Sequence, residues 1–293
     1  MAAIVIALAA GLMIGREQGF RQGVDSIMDI PVDKNRPFTH EELNQPITFE
    51  NRYIDLAVRN ALSKMPGDVI NLSEVVSIDT IRIFGTHILH PELDTQLVKT
   101  HIAKGAVAYA TSDGFPIDIR GDISDLSSIP NFYYLRNLTL TSQAVSDLSP
   151  LAGMKLEEIS LADNFVGNLL PLKDMATLRK LDICQNPLGD LTPISRLLSL
   201  EYLDISQTQV TDLRPLTGLT KLQTLRMSYC DVSDISVLAE LPNLAEVDIS
   251  HTFVTDLTPL LGRASPITIT CAGIPDEVVA QVRGVENVIV SEE

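Results

Sequence analysis

The sequence predicts an α/β solenoid: short strands stacked into one parallel sheet, with tight turns or 3-10 helices behind them and a helical segment in front. Three observations predict it. Leucines recur at a fixed interval through the second half of the chain. Each interval changes period midway, from strand-like alternation to a turn. The stretch ahead of the first regular interval has helical rather than repeating periodicity.

Leu156, Leu178, Leu200, Leu222 and Leu244 are spaced by 22 residues, and Leu135 precedes the first by 21. Each of the five opens the same phrase, as in "LEYLDISQTQVTDLRPLTGLTK" at 200–221, and a worn copy, "IDIRGDISDLSSIPNFYY", runs from Ile117. The L-x-x-L-x-L half alternates like a strand with one buried face. The V-x-D-L-x-P-L half holds Asp and Pro, which favour a tight turn or one helical turn. Each unit can bury its leucines only against its neighbours, so the units must stack. In the quoted phrase Leu200, Leu203, Ile205, Val210, Leu213, Leu216 and Leu219 are the expected core.

These phrases resemble the leucine-rich repeat family. Their 22-residue length resembles the class found in bacterial internalin-like surface proteins and in a family of eukaryotic phosphatase regulators. The resemblance covers residues 117–264 and implies a right-handed solenoid with a concave parallel sheet and a helical N-terminal cap. Internalin-like proteins bind other proteins on the concave face, which makes that face the expected site here.

The remaining elements follow in chain order. Residues 1–24 are an apolar segment, 25–47 a proline-bearing linker with Pro31, Pro37 and Pro46, and 48–116 a helical cap with an irregular first repeat. Within that cap the pattern predicts a helix over Asn51 to Lys64, a turn at Pro66-Gly67, a short helix near Leu72 to Val76 and a strand at Thr80 to Phe84. Residues 85–114 fit the period poorly and read as an insertion. Arg263 takes the slot that Met154, Met175, Leu197, Leu219 and Leu241 fill with apolar side chains, so the apolar row ends there. Residues 265–293 then read as strand, short helix and strand, a C-terminal cap.

The uncharged run Met1 to Ile14 is shorter than the roughly 20 residues that span a bilayer, and no basic residue precedes it. It is expected to act as a membrane anchor. Ala3, Ala7, Gly11, Gly15, Gly19 and Gly23 recur every four residues. On a helix this spacing offers a close-approach groove and so helix-mediated self-association, although an Ala/Gly-rich segment also meets it by chance. Arg16 and Arg21 follow the run, which by the positive-inside rule leaves the repeats cytoplasmic. A start further upstream would reverse that, and the resemblance to surface proteins puts the repeats on the extracytoplasmic face.

The 293 residues carry a net charge of −16, which argues against nucleic acid as a partner, since phosphate binding needs a basic surface. Cys184, Cys230 and Cys271 are too few and too scattered for a disulfide framework.

Scaffold residues can be set aside slot by slot. Thr208 shares its position with Asn164, Asn186, Cys230 and Thr252, small side chains expected to bond the backbone as it leaves the strand. Asp212 recurs as Asp147, Asp190, Asp234 and Asp256, placed to cap the next turn. What remains are the residues alternating away from the leucines. One row reads Asn137, Glu158, Lys180, Tyr202, Thr224, Glu246. The next reads Thr139, Ser160, Asp182, Asp204, Arg226, Asp248. Ser142, Asp163, Gln185, Gln207, Tyr229 and His251 stand at the strand exits.

Two readings fit these rows. One is a solvated, salt-bridged ladder, with Arg226 between Asp204 and Asp248. The other is a recognition patch centred on Tyr202, Arg226 and Tyr229, residue types that dominate binding hot spots. The resemblance favours the second, with Lys180, Asp182, Tyr202, Asp204, Arg226, Tyr229, Glu246, Asp248 and His251 as the expected protein- or peptide-binding residues.

Catalytic chemistry finds little support. Phosphate-binding glycine loops and paired Cys-x-x-Cys motifs are missing from the sequence. His87, His90 and His101 have zinc-compatible residue types but no Glu base among them. Cys184, on the concave side and expected to be accessible, has no evident His partner. Arg120-Gly121-Asp122 matches an integrin-binding tripeptide but reads as a turn in the first repeat. The expectation is therefore a non-enzymatic recognition module without cofactor or metal. The alternative is a cytosolic scaffold, similar to the phosphatase regulators, that controls an enzyme by docking.

Overall fold

The computed structural model describes residues 39–85, 87–88, 98–101, 107–110 and 120–291. The apolar segment 1–24 and the expected linker as far as residue 38 lie outside the described residues.

The strand half of each phrase forms a strand, only three residues long in the central repeats. In chain order the strands are β1 (Thr80–Phe84), β2 (His87–Ile88), β3 (Val98–His101), β4 (Val107–Ala110), β5 (Asn137–Thr141), β6 (Glu158–Ser160), β7 (Lys180–Asp182), β8 (Tyr202–Asp204), β9 (Thr224–Arg226), β10 (Glu246–Asp248), β11 (Ile267–Thr270) and β12 (Val288–Ser291). One sheet runs β2-β1-β5-β6-β7-β8-β9-β10-β11-β12, and β3 and β4 pair separately. All of its pairings are parallel except β2 on β1, which is antiparallel. Three-residue strands hold because each interior one is bonded on both sides. Register follows the repeat, so Lys180, Tyr202, Thr224 and Glu246 align across four strands.

Behind the sheet, 3-10 turns recur at Ile129–Asn131, Ser149–Leu151, Leu170–Leu172, Thr192–Ile194, Arg214–Leu216, Ser236–Glu240 and Thr258–Leu260. From Ser149 on each opens at a capped N–H, and the first is preceded by one at Ser127. Asp125, Asp147, Asn168, Asp190, Asp212, Asp234 and Asp256 accept the backbone N–H two residues on, at 2.8–2.9 Å. Side-chain and backbone donors two residues on hold the carboxyls of Asp147, Asp190, Asp212 and Asp256 below their ordinary range. For Asp125 and Asp234 the backbone donor leads.

Between strand and turn, Asn164 is buried. It accepts from Val145 N–H at 3.0 Å and donates to the carbonyls of Leu140, Leu161 and Ala162. Asn186 repeats the pattern on Val166, Leu161, Ile183 and Cys184. Thr208, Cys230 and Thr252 keep a donor to Ile205, Ile205 and Ile249 respectively. Burial pushes the Cys230 thiol up, as suits a structural sulfur.

The first repeat departs from the sequence expectation. The copy starting at Ile117 resembles a whole unit, with a strand half that would pair beside β5. That place belongs to β1, with Ile81 on Leu138 and Ile83 on Leu140. Among the described residues the copy supplies the return half, where Ile123, Leu126, Ile129, Phe132 and Leu135 are all buried. The repeat is therefore split, its strand half near residues 78–85 and its return half at 120–135. Gln143 ties the two together: its amide donates to Gly85 O at 2.6 Å, and its oxygen accepts from Ile123 N–H at 3.2 Å.

Among the described residues three helices precede β1: α1 (His40–Leu43), α2 (Arg52–Leu62) and α3 (Leu72–Val75). Asn51 caps α2 by accepting from Tyr53 and Ile54 N–H, and Ser63 ends it in the left-handed region at φ 55°. Its buried face, Tyr53, Ile54, Val58 and Leu62, has the spacing of one helical stripe. It covers the core that β1 would otherwise expose, and Phe49 stacks on Phe132 with centroids 5.6 Å apart. At the far end α4 (Asp276–Val279) lies between β11 and β12. Arg263 does more than end the apolar row. Its guanidinium donates to the carbonyls of Leu238, Leu241 and Leu244 at 2.8–2.9 Å, and burial lowers its pKa.

Candidate functional site

Strand alternation sends Lys180, Tyr202, Thr224 and Glu246 out from the concave sheet as one row. Asp182, Asp204, Arg226 and Asp248 form the next. The second row is only partly available. Oδ1 of Asp182, Asp204 and Asp248 accepts from the N–H two residues on, of Cys184, Ser206 and Ser250 respectively, at 2.9–3.2 Å. Asp182 Oδ2 also accepts from Ser160 Oγ, and Asp204, which is fully buried, receives Tyr202 OH at 3.4 Å. These carboxylates fasten the strand exits as well as facing the concavity.

Tyr202 is the centre of the first row. Lys180 Nζ lies 5.4 Å from its ring centroid and the Arg226 guanidinium 5.6 Å, so two cations share one ring. Register does place Arg226 between Asp204 and Asp248. Among the described residues, however, its guanidinium makes no hydrogen bond or ion pair, and Tyr202 is its ring contact. Burial alone would lower the Arg226 pKa. The Tyr202 phenol and the carboxylates of Asp204, Asp248 and Glu246 outweigh it and raise the value.

The ion-pair ladder imagined for this face stands one position earlier, at the strand entry. There Arg179 pairs with Glu201 through two bonds of 2.8 and 3.0 Å, and Arg136 lies 3.8 Å from Glu157. The signs alternate in the sequence at this slot, Glu157, Arg179 and Glu201.

Beside Arg226 the concave surface opens into a cavity of about 250 Å³. Asp204, Arg226, Glu246 and Asp248 supply its charges, and Ser206, Thr224, Ser228, Thr268 and Thr270 its hydroxyls. Sequence reasoning missed Thr268 and Thr270, because β11 lies beyond the last clean phrase.

The strand-exit residues have an unforeseen backbone. Ser142, Asp163, Gln185, Gln207, Tyr229 and His251 all have φ between 53° and 58°, and glycines hold the same slot at both ends, Gly85 (φ 51°) and Gly273 (φ 77°). A non-glycine residue there costs about 1–2 kcal/mol. The compensation is structural: each N–H reaches a carbonyl of the following repeat, such as Gln207 to Ser228 and Tyr229 to Ser250. The two slot glycines carry the signal in the sequence. Gly273 has a second reason, since a Cβ there would sit 2.4 Å from Nδ1 of His251. The freed space lets His251 stack on Tyr229, with centroids 4.3 Å apart and planes inclined by 20°. Tyr229 and His251 thus form a flat ledge along the exit edge, and Phe253, two residues further on, is exposed.

Other sequence candidates resolve differently. Cys184, expected to be accessible, is fully buried. Its thiol and the Asp182 and Asp204 carboxylates lie within 4.8 Å of one another, the one such grouping among the described residues. Of the three histidines, His87 falls in β2 and His101 in β3, while His90 lies outside the described residues. Arg120 pairs with Asp163, donates to Gln143 O and Asp163 O, and covers the Phe165 ring at 4.9 Å. A Cβ on Gly121 would strike Gln143 Oε1 at 2.0 Å, and Asp122 accepts from Asn51. The tripeptide is a joint between cap and repeats.

Comparison with known proteins agrees with this architecture. The family model "Leucine Rich repeats (2 copies)" matches residues 198–240 and 220–262. No curated protein sequence matches the chain. Among solved structures, internalin C2 of Listeria monocytogenes is 24% identical with a TM-score of 0.56, covering 76% of this chain and 94% of that one. The internalin InlF of the same organism is 22% identical with a TM-score of 0.62, covering 87% of this chain and 73% of that one. Residues 198–262 carry leucine-rich repeats, and the chain has the internalin-like solenoid fold. Among the described residues no helix is long and apolar enough to cross a membrane.

Proposed function

We propose that the chain is a non-enzymatic recognition module that binds a protein or peptide on its concave face, tethered to a bacterial membrane by its N-terminal segment. The observation that carries this is the Lys180–Tyr202–Arg226 row beside an open cavity. A large aromatic ring, two cations and several carboxylates converge there on a rigid sheet, whereas a purely solubilising surface needs no such convergence. The internalin-like fold supports a protein partner, and the apolar start supports the tether. Lys180, Asp182, Tyr202, Asp204, Arg226, Tyr229, Glu246, Asp248 and His251 form the proposed surface.

Replacing Tyr202, Arg226 and Tyr229 together by Ala tests the site. Proteins that co-purify with the wild-type chain should be lost, while circular dichroism and the melting temperature stay close to wild type. Full retention of those partners by a folded triple variant would contradict the concave site. Protease shaving of intact cells tests the tether. A membrane-bound repeat domain that disappears on shaving supports an outward-facing anchor, and a soluble, protected domain contradicts the tether.

A further inference from the structure

The cavity on the concave face has a lopsided lining. Its charges are three carboxylates, Asp204, Glu246 and Asp248, against one guanidinium, Arg226. The Arg226 guanidinium lies 5.6 Å from the Tyr202 ring centroid on β8. On the β10–β11 side Glu246 pairs in register with Thr268 and Asp248 with Thr270, so two carboxylates and two hydroxyls face one space. Asp248 keeps Oδ2 while its Oδ1 accepts from Ser250 N–H, and Glu246 makes no hydrogen bond or ion pair among the described residues. Every side-chain polar group on this wall can accept a hydrogen bond, and neighbouring strands about 4.8 Å apart set its width.

We infer that this cavity receives a basic side chain, Lys or Arg, from the partner, and that the Tyr229–His251 ledge takes an apolar group beside it. The inference rests on the concave-face reading and specifies its partner. A donor-only cation meets the acceptors of Glu246, Asp248, Thr268 and Thr270. The volume of about 250 Å³ suits one long side chain and excludes a folded element. The net charge of −16 steers cationic segments toward the chain, and the cavity supplies the specific end point. Tyr229 stands three positions beyond Arg226. On a strand this is roughly 10 Å, so an extended partner segment would place its apolar residue two to four positions from the basic one.

The test is selection from a random dodecapeptide library on the immobilised full chain, followed by binding measurements on the enriched peptides. Enrichment of Lys or Arg at one fixed position, with an apolar residue two to four positions away, is expected. A peptide so enriched should bind at least about tenfold more weakly after its basic residue is replaced by norleucine. A similar loss is expected against the E246Q/D248N double variant, in which the new amide oxygen at position 248 still accepts from Ser250 N–H. The convex variant Glu240→Gln should bind like wild type. Peptides that lack a basic preference, and bind E246Q/D248N as well as wild type, would overturn this inference. If such peptides still fail against the Tyr202, Arg226 and Tyr229 triple variant, the concave-face reading survives. Peptides insensitive to both variants, or no enrichment at all, would overturn both.

Discussion

The first repeat and the central repeats solve one packing problem with different chain connectivity. From Leu156 to Leu260 each unit is a continuous phrase, strand then turn, joined to its neighbours by Asn, Thr or Cys at the strand exit. The first unit takes its strand from Thr80–Phe84 and its return from Ile123–Leu135, with the residues between them inserted at the exit. Yet the slots are filled alike: Ile81 and Ile83 in the sheet, Gly85 in the left-handed position and Asp125 under the 3-10 turn. A repeat is thus defined by satisfied slots, and an insertion is tolerated where its two ends are bonded across. The longer Gln143, in the slot of Asn164, does that bonding.

This contrast can be broken at several strengths. Leu203→Ala in a central repeat removes a side chain buried on all sides and should cost roughly 2–5 kcal/mol, read as a drop in the urea midpoint. Gly121→Ala displaces Gln143 and breaks its buried bonds, for roughly 1–3 kcal/mol. The matched change Gly189→Ala meets nothing nearer than 3.6 Å and should be neutral or slightly stabilising in the same assay. At the other end Arg263→Met restores an apolar slot but removes three hydrogen bonds to the carbonyls of Leu238, Leu241 and Leu244. A loss of about 1–3 kcal/mol is expected, where a gain would show that the carbonyls find water.

The smallest and most distributed effect is on pH. Asp147, Asp190, Asp212, Asp234 and Asp256 have carboxyls lowered in the fold, so their contribution is complete above the unfolded value of about 4. It is lost as pH falls through the folded values. Melting temperature should hold from pH 7 to about 5 and then decline, and Asp→Asn at these caps should flatten that decline.

The repeat core, the Asp caps and the backbone-bonding Asn/Thr/Cys slot were legible because each obeys a period and a local hydrogen-bonding habit. Helix α2 was legible from its stripe and its Asn51 cap. The split first repeat was not, since the sequence copy at Ile117 resembles a whole unit and parallel pairing with Thr80–Phe84 is non-local. The left-handed row escaped for a related reason. Ser, Asp, Gln, Tyr and His there carry no common type, and only the inter-repeat bonds compel the conformation. On the concave face the rows were readable by counting. The tilt of Arg226 onto Tyr202, the burial of Asp204 and Cys184, and the cavity were not, because they depend on side-chain packing between strands.

Position-specific photocrosslinking in cells tests the central claim most directly. Benzoylphenylalanine placed at Thr224, in the concave row and lining the cavity, should yield a discrete adduct with a protein partner on irradiation. The same probe at Thr217, exposed behind the sheet after the turn Arg214–Leu216, should yield none. Adducts at Thr217 with none at Thr224 would contradict recognition by the concave face.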